Sequence, residues 1–504
     1  MTTEQNNTHI HVIEGFFELY IKNTSASHVV HHVAKQQSTY VFQHYSHGKR
    51  HVFESGSLDF GITHRFLIPC ARKTKLTWAD MKVVGIQATH EYAYDTSVQQ
   101  LVENARSVFT MQPTRVFLHG FIMFGSKMEL WLFDRSGFYR SGLHTSAPFD
   151  VQESPESLYT VISAYTNMND IQLGFNHLIF SDHTGSKYLM MGGDGNPTSG
   201  KDIPTTTSKL YLDEDPITAP EDIVSRRPVC YKARDEHDNI YVVKLAKKPN
   251  GEQTEERLLR LIKDRKVWGV IKLASYQEVK TANLTLSCIV TTPFGRPLKK
   301  YGTVAELLGC FCDAIKGHRS LYVQGNLLHQ DISEGNIIIR NNCGREPEPR
   351  GVLIDLDLAM DLSIGPESPG ELKGTKAFMA IGLLRTRILH TYRHDLESFF
   401  YVFLWMAVSA HEQLPHGSRL QGWSAGTWAE TAVKKTEDMS DPDHFAAIIS
   451  EFKPDFKRLE GLAYTLREVL FFPDGGDFFL ETNMESFDNL YDKMTDAFEK
   501  AASG

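Results

Sequence analysis

Apolar residues along this chain fall into two rhythms, one helical and one of short continuous runs. Between Ser97 and Thr110 the positions Leu101, Val102, Ala105, Val108 and Phe109 share one face of a 3.6-residue repeat and predict a helix. Val304 to Leu321 repeats that pattern with Leu307, Leu308, Phe311, Ala314, Ile315 and Leu321. Lys82 to Thr89 and Arg115 to Phe133 have the runs of buried strands, and the second predicts a hairpin turning at Gly125-Ser126. Arg227 to Ala246 predicts two strands around a turn at Glu236-His-Asp-Asn239. His394 opens an apolar helix reaching about Val408, whose run from Phe399 is far shorter than the roughly 20 residues a bilayer requires. It reads as a core helix.

The pattern breaks most clearly from Gly192 to Glu221, a stretch rich in Gly, Pro, Ser, Thr and Asp. Read as a linker at 192–221, it separates an N-terminal α/β domain, residues 1–191, from a second domain, residues 222–504. The first domain is similar to the PD-(D/E)xK nucleases in element order only. Where those enzymes carry Glu-x-Lys, this chain has Gly85-Ile86-Gln87-Ala88, without carboxylate or lysine. A docking or regulatory role is therefore the expectation, beside the plain alternative of a packing domain without a site.

Composition narrows the class. A net charge of −9 over 504 residues argues against nucleic-acid binding driven by phosphate neutralisation. Six cysteines show no zinc-ribbon or disulfide-framework spacing, which suits reduced thiols in an intracellular protein, cytoplasmic or nuclear. The first residues have neither a basic region nor an apolar stretch, so neither a secretory signal nor a membrane association is expected. Gly195-Asn-Pro-Thr-Ser-Gly-Lys201 matches most of a phosphate-binding loop, but Asp202 and Pro204 follow where a hydroxyl and a helix should be. His28 and His32 have no third ligand in reach.

The chemistry concentrates in one place. His329-Gln-Asp-Ile-Ser-Glu-Gly-Asn336 lies between apolar Leu327-Leu328 and Ile337-Ile338-Ile339, and Val352-Leu-Ile-Asp-Leu-Asp357 follows. A carboxylate, an amide five residues on, and a second carboxylate ending an apolar strand suit phosphoryl transfer. Asp331 is placed to orient an attacking hydroxyl, and Asn336 and Asp355 to hold a metal that bridges nucleotide phosphates.

With Gly374-Thr-Lys-Ala-Phe-Met-Ala380 and Arg393-His-Asp-Leu-Glu-Ser-Phe-Phe400 added, the chain resembles the fungal-type protein kinases. The resemblance extends upstream through Arg115-Val-Phe-Leu-His-Gly120 and Leu130-Trp-Leu-Phe-Asp-Arg-Ser-Gly137. It implies an α+β chain, a bilobal protein-kinase-like fold preceded by the smaller α/β domain. It also implies ATP and Mg²⁺ as cofactors, a protein substrate and transfer of the γ-phosphate to a Ser/Thr hydroxyl. Lys244, in Tyr-Val-Val-Lys-Leu-Ala, fits the phosphate-anchoring lysine; Glu255 fits its partner on the next helix, with Glu256 the rival. Asp395 fits the helix-start carboxylate that caps the catalytic loop. Partner identity and oligomeric state are left open.

Four departures from the kinase pattern shape the expectation. Ile223 to Tyr231, read as the segment covering the nucleotide, contains no glycine. Gln330 replaces an arginine that commonly answers activation-loop phosphorylation, and Ser333 replaces a lysine that steadies the transferred phosphate. Ile381-Gly382 replaces Pro-Glu, which predicts the loss of a buried ion pair and a looser substrate platform. Asp357 adds an acid two residues after Asp355. The alternatives are thus a pseudokinase scaffold and a kinase of small molecules such as cholines or aminoglycosides.

Overall fold

The structure is a computed structural model describing residues 77–88, 94–141, 148–191, 208–225, 227–249, 254–281, 284–340, 348–365, 372–386, 388–481 and 487–503, with the backbone of several strands between 10 and 69. The Gly195–Lys201 stretch and His28 lie outside the described residues, as do Cys70 and Cys343. Two compact units divide the chain. One holds Met1–Asn239, Val243–Lys248 and Ser275–Ile289; the other holds Ile240–Val242, Pro249–Ala274 and Val290–Gly504.

In the first unit, strands β1 (Thr63–Pro69) and β2 (Met81–Ala88) precede helix α1 (Tyr94–Met111). Strands β3 (Phe117–Phe124), β4 (Lys127–Asp134) and β5 (Gly137–Ser141) follow, then helix α2 (Pro155–Asn167). The sheet runs Ile10–Ile13, β5, β4, β3, β2, β1, Ser55–Gly56. β2 and β3 pair in parallel, Val84 opposite Gly120, because α1 crosses between them. β3 and β4 form the expected hairpin, and Gly125 at its turn has φ 59°.

Both central strands are nearly continuous apolar runs because helices cover both faces. Leu101, Ala105, Val108 and Phe109 of α1 pack with Val84, Leu118, Ile122 and Phe133. Leu158, Val161, Ile162 and Tyr165 of α2 pack with Val83, Phe121, Leu130 and Leu132. Gly85 is required here: a Cβ on it would lie 2.3 Å from the Phe121 ring.

A second sheet holds β6 (Lys187–Met191), β7 (Ser208–Leu212), β8 (Val229–Arg234), β9 (Ile240–Lys247), β10 (Lys272–Lys280) and β11 (Thr285–Thr292). Its order is Phe180–Ser181, β6, β7, β8, β9, β11, β10. The stretch 192–221, read from composition as a linker, thus contains a strand: β7 pairs with both β6 and β8. The connection that leads into β8 is 213–228, longer than the Ile223 to Tyr231 segment anticipated, and Val229 to Tyr231 already belong to the strand.

The second unit is mostly helical. Helix α3 (Glu255–Asp264) is capped by Thr254, whose side chain accepts from Arg257 N, and buries Glu255, Leu258, Leu259 and Ile262. Helix α4 (Val304–Val323) leads to β12 (Leu327–Leu328), and β13 (Ile337–Arg340), β14 (Gly351–Leu353) and β15 (Met360–Asp361) follow. The short helix α5 (Ile381–Thr386) precedes α6 (Tyr392–Ser409), which is buried all round as a core helix must be. Helices α7 (Trp428–Ser440), α8 (Pro442–Ser450), α9 (Glu460–Phe471) and α10 (Phe487–Ser503) complete the unit. Among the described residues no helix is long and apolar enough to cross a membrane.

Candidate active site

Two short strand pairings build the site in the second unit. β12 pairs with β15, Leu328 opposite Met360, and β13 pairs with β14, Ile337 opposite Leu353. The loop 329–336 and the segment 354–359 are thereby tied at both ends to each other. Ile354 N donates to Asn336 O at 3.0 Å, and His329 Nε2 bonds Ile354 O at 3.1 Å. Burial lowers the His329 pKa, so the ring is neutral; its Nδ1 accepts from Asp331 N at 3.3 Å, which leaves the proton on Nε2.

The Asp331 carboxylate is held from two sides. One oxygen accepts from Thr375 N at 2.8 Å and Thr375 Oγ1 at 2.7 Å; the other accepts from Asn336 Nδ2 at 3.0 Å. Asn336 Nδ2 also donates to Asp331 O at 2.8 Å, closing the loop on itself. Gly374 permits this approach. Its φ is 118°, and a Cβ would stand 2.9 Å from Gln330 O. In the sequence Thr375 is one residue of the 374–380 segment; its contact with Asp331 crosses 44 residues, a distance no local pattern spans.

Asp355, in a left-handed backbone conformation at φ 62°, belongs to a second group. Oxygen atoms of Glu255, Asp355 and Asp357 all lie within 4.8 Å of one another, the one such metal-competent cluster among the described residues. Oxygen donors of this kind suit a hard divalent ion such as Mg²⁺. Leu356 N points to Glu255 Oε1 at 3.4 Å, fixing the acid of α3 beside the 355–357 turn. Asp331 with Asn336 and Glu255 with Asp355 are thus brought together as pairs. Lys244 lies in the first unit, buried on β9.

Behind the loop stands a buried acid. Asp395, at the start of α6, accepts from Gln330 N at 3.1 Å and His318 Nε2 at 2.8 Å on one oxygen and from His390 Nε2 at 2.7 Å on the other. Burial opposes its charge, yet His390 and His318 outweigh it and hold the carboxyl well below its usual range. His318 Nδ1 in turn bonds the Tyr491 hydroxyl of α10 at 2.6 Å, so the last helix braces the loop.

The anticipated loosening at Ile381-Gly382 is corrected by the structure. Glu397 accepts from Ile381 N at 2.7 Å and pairs with buried Arg393 at 2.7 Å, so an ion pair is present, supplied wholly by α6. Fully buried Lys435 of α7 donates to Met379 O at 2.7 Å and lies 3.8 Å from the centre of the Tyr401 ring. The end of the 374–381 segment is therefore fastened from two helices.

The 213–228 connection of the first unit contrasts with this. It carries Asp213, Glu214, Asp215, Glu221 and Asp222 and no glycine. Ile223 is fully buried in the α1-side core with Val84, Leu101 and Phe109. Asp222 pairs with Arg106 of α1 at 3.2 Å. Two buried thiols are poor nucleophiles: burial pushes Cys288 up to about 12 and Cys312 up to about 11.

Against known proteins, the family model described as fungal protein kinase matches residues 65–285 and 280–407, more than half of the chain. No curated protein matches. A solved structure titled "Structure of vaccinia related kinase 3" is similar at 12% identity with a TM-score of 0.38, over 64% of this chain and 91% of that one.

Proposed function

Because the chain belongs to the fungal protein kinase family, we propose that it is an ATP- and Mg²⁺-dependent kinase that transfers the γ-phosphate to Ser or Thr hydroxyls of a protein substrate. What supports this reading most is Asp331, its carboxylate oriented by Thr375 and Asn336 on a loop tied to the Asp355 segment. In this reading Asp331 orients the acceptor hydroxyl and receives its proton. Asn336 and Asp355, joined by Asp357, hold the metal, whose charge offsets that of the phosphates. Lys244 anchors phosphate oxygens, with Glu255 as its partner. Gln330 gives only its backbone N–H to Asp395, so activity without activation-loop phosphorylation is expected. The α/β domain at the N-terminus is a regulatory or docking element, and the protein works inside the cell.

One observation favours a second reading, a catalytically silent scaffold: the acid-rich, glycine-free 213–228 connection is a poor cover for phosphates. Incubation of the full chain with labelled ATP, Mg²⁺ and a generic protein acceptor decides between them. The proposal expects label on the acceptor with the natural chain and none above background with Asp355→Ala. Absence of both transfer and Mg²⁺-dependent ATP stabilisation of the natural chain would leave the scaffold.

A further inference from the structure

Arg115, Arg135, Arg227 and Lys247 line one small cleft of the first unit, and no aspartate or glutamate joins them in its wall. Its volume of ≈ 30 Å³ leaves room for about two water-sized groups. Arg227 and Lys247 are exposed, so the rim meets solvent, whereas Arg115 and Arg135 are buried.

The interior is built for something negative. Arg135 spends two N–H groups on the carbonyls of Asp222 at 3.4 Å and Pro113 at 3.0 Å, and its guanidinium lies 4.6 Å from the centre of the Phe109 ring. Among the described residues no carboxylate pairs with it, and burial pushes its pKa down to about 10. Arg115 adds a second buried cation whose N–H groups reach the carbonyls of Met81, Lys82, Phe117 and Leu173. Asn176 is 5% exposed. Its Oδ1 accepts from Leu178 N at 3.0 Å, which fixes the amide, and its Nδ2 has no partner. A buried donor left unmade is costly, as is a buried charge without a counter-ion. Ser225 Oγ accepts from Arg227 N at 3.0 Å and keeps its own hydrogen to donate.

We propose that this cleft binds a phosphate dianion, either the free ion or the head of a small phosphate monoester. Two oxygens enter the cleft to meet Asn176 Nδ2 and the uncommitted N–H groups of Arg135. Arg227, Lys247 and the Ser225 hydroxyl close on the outer oxygens. A planar guanidinium with donors from several directions matches a tetrahedral oxyanion, and the cations of the wall, of which Arg227 also pairs with Glu221 at 3.2 Å on the exposed rim, suit a dianion better than a monocarboxylate. The site uses neither Lys244 nor any residue of the second unit, so it does not depend on the kinase reading.

Calorimetric titration of the full chain at constant ionic strength tests this, with inorganic phosphate and phosphoserine as separate arms and chloride as the blank. Asn176→Asp keeps the shape of the amide and puts a negative charge in the cleft; Lys247→Ala alters only the exposed rim. Saturable phosphate binding is expected in the natural chain. It should be at least roughly tenfold weaker in Asn176→Asp, the loss of one hydrogen bond to a charged group, and measurably weaker in Lys247→Ala. Phosphoserine binding alongside phosphate would identify a monoester site, and phosphate alone a free-ion site; both support the proposal. No saturable binding, or binding unchanged in both variants, overturns it.

Discussion

The loop 329–336 and the connection 213–228 are both segments between strands, yet they are held in opposite ways. The loop keeps named chemical groups and is fixed by hydrogen bonds to individual atoms, from Asn336 and Thr375 in front and Asp395 behind. The connection is fixed by burial of one side chain, Ile223, and by the Asp222–Arg106 pair. Chemistry demands particular atoms at particular points, so its residue types read as a motif in the sequence. A segment held by packing needs only a position, and burial against a neighbouring layer supplies it.

If the loop is held by a buried charge, Asp395→Asn should be the more damaging change. Removing one partner of a buried charged network costs about 3–5 kcal/mol, read as a lower midpoint in urea unfolding at neutral pH. The folded pKa of Asp395 is depressed, so its contribution is present above the unfolded value near 3.9 and fades as pH falls through the folded one. The two chains should therefore converge in strong acid. If the connection is held by packing, Ile223→Ala should cost about 2–5 kcal/mol with no such pH dependence. A loss below about 0.5 kcal/mol would mean that Ile223 does not anchor it.

A third effect, seen in the slope rather than in the midpoint, belongs to the first unit. Burial lowers His119 on β3 to about 4, while the unfolded chain titrates near 6.5. Between those values only the unfolded state takes up the proton, so stability falls as pH falls. The contribution is about 1.4 kcal/mol per pH unit. His119→Gln should remove that slope from the unfolding free energy measured between pH 6.5 and 4; an unchanged slope would mean the proton is taken up elsewhere.

The same contrast explains what could be read in the sequence. The hairpin of β3 and β4, helix α4 and the core helix α6 rest on local periodicity, and the loop 329–336 on residue type; all were legible. Strand β7 was not, because five residues in a Pro- and Gly-rich setting become a strand only through pairing with β6 and β8. The role of Ile223 is invisible for a similar reason: one apolar residue in a charged stretch carries no period. Thr375, His318 and Tyr491 reach the site across 44 to 173 residues, and the ion pair of Arg393 and Glu397 is present where the loss of one was expected. Some signals were present and unused, such as the Thr427–Glu430 capping box that starts α7.

The most direct measurement is the turnover of Asp331→Asn beside its affinity for Mg²⁺·ATP, since this variant keeps the shape of the side chain and removes its ability to receive a proton. A general base contributes about 10²–10⁴-fold, so phosphate transfer to the acceptor should fall by that factor while nucleotide affinity stays within about threefold, roughly 0.7 kcal/mol. Turnover within about tenfold of the natural chain would contradict the assignment of Asp331 and, with it, the catalytic reading of the loop.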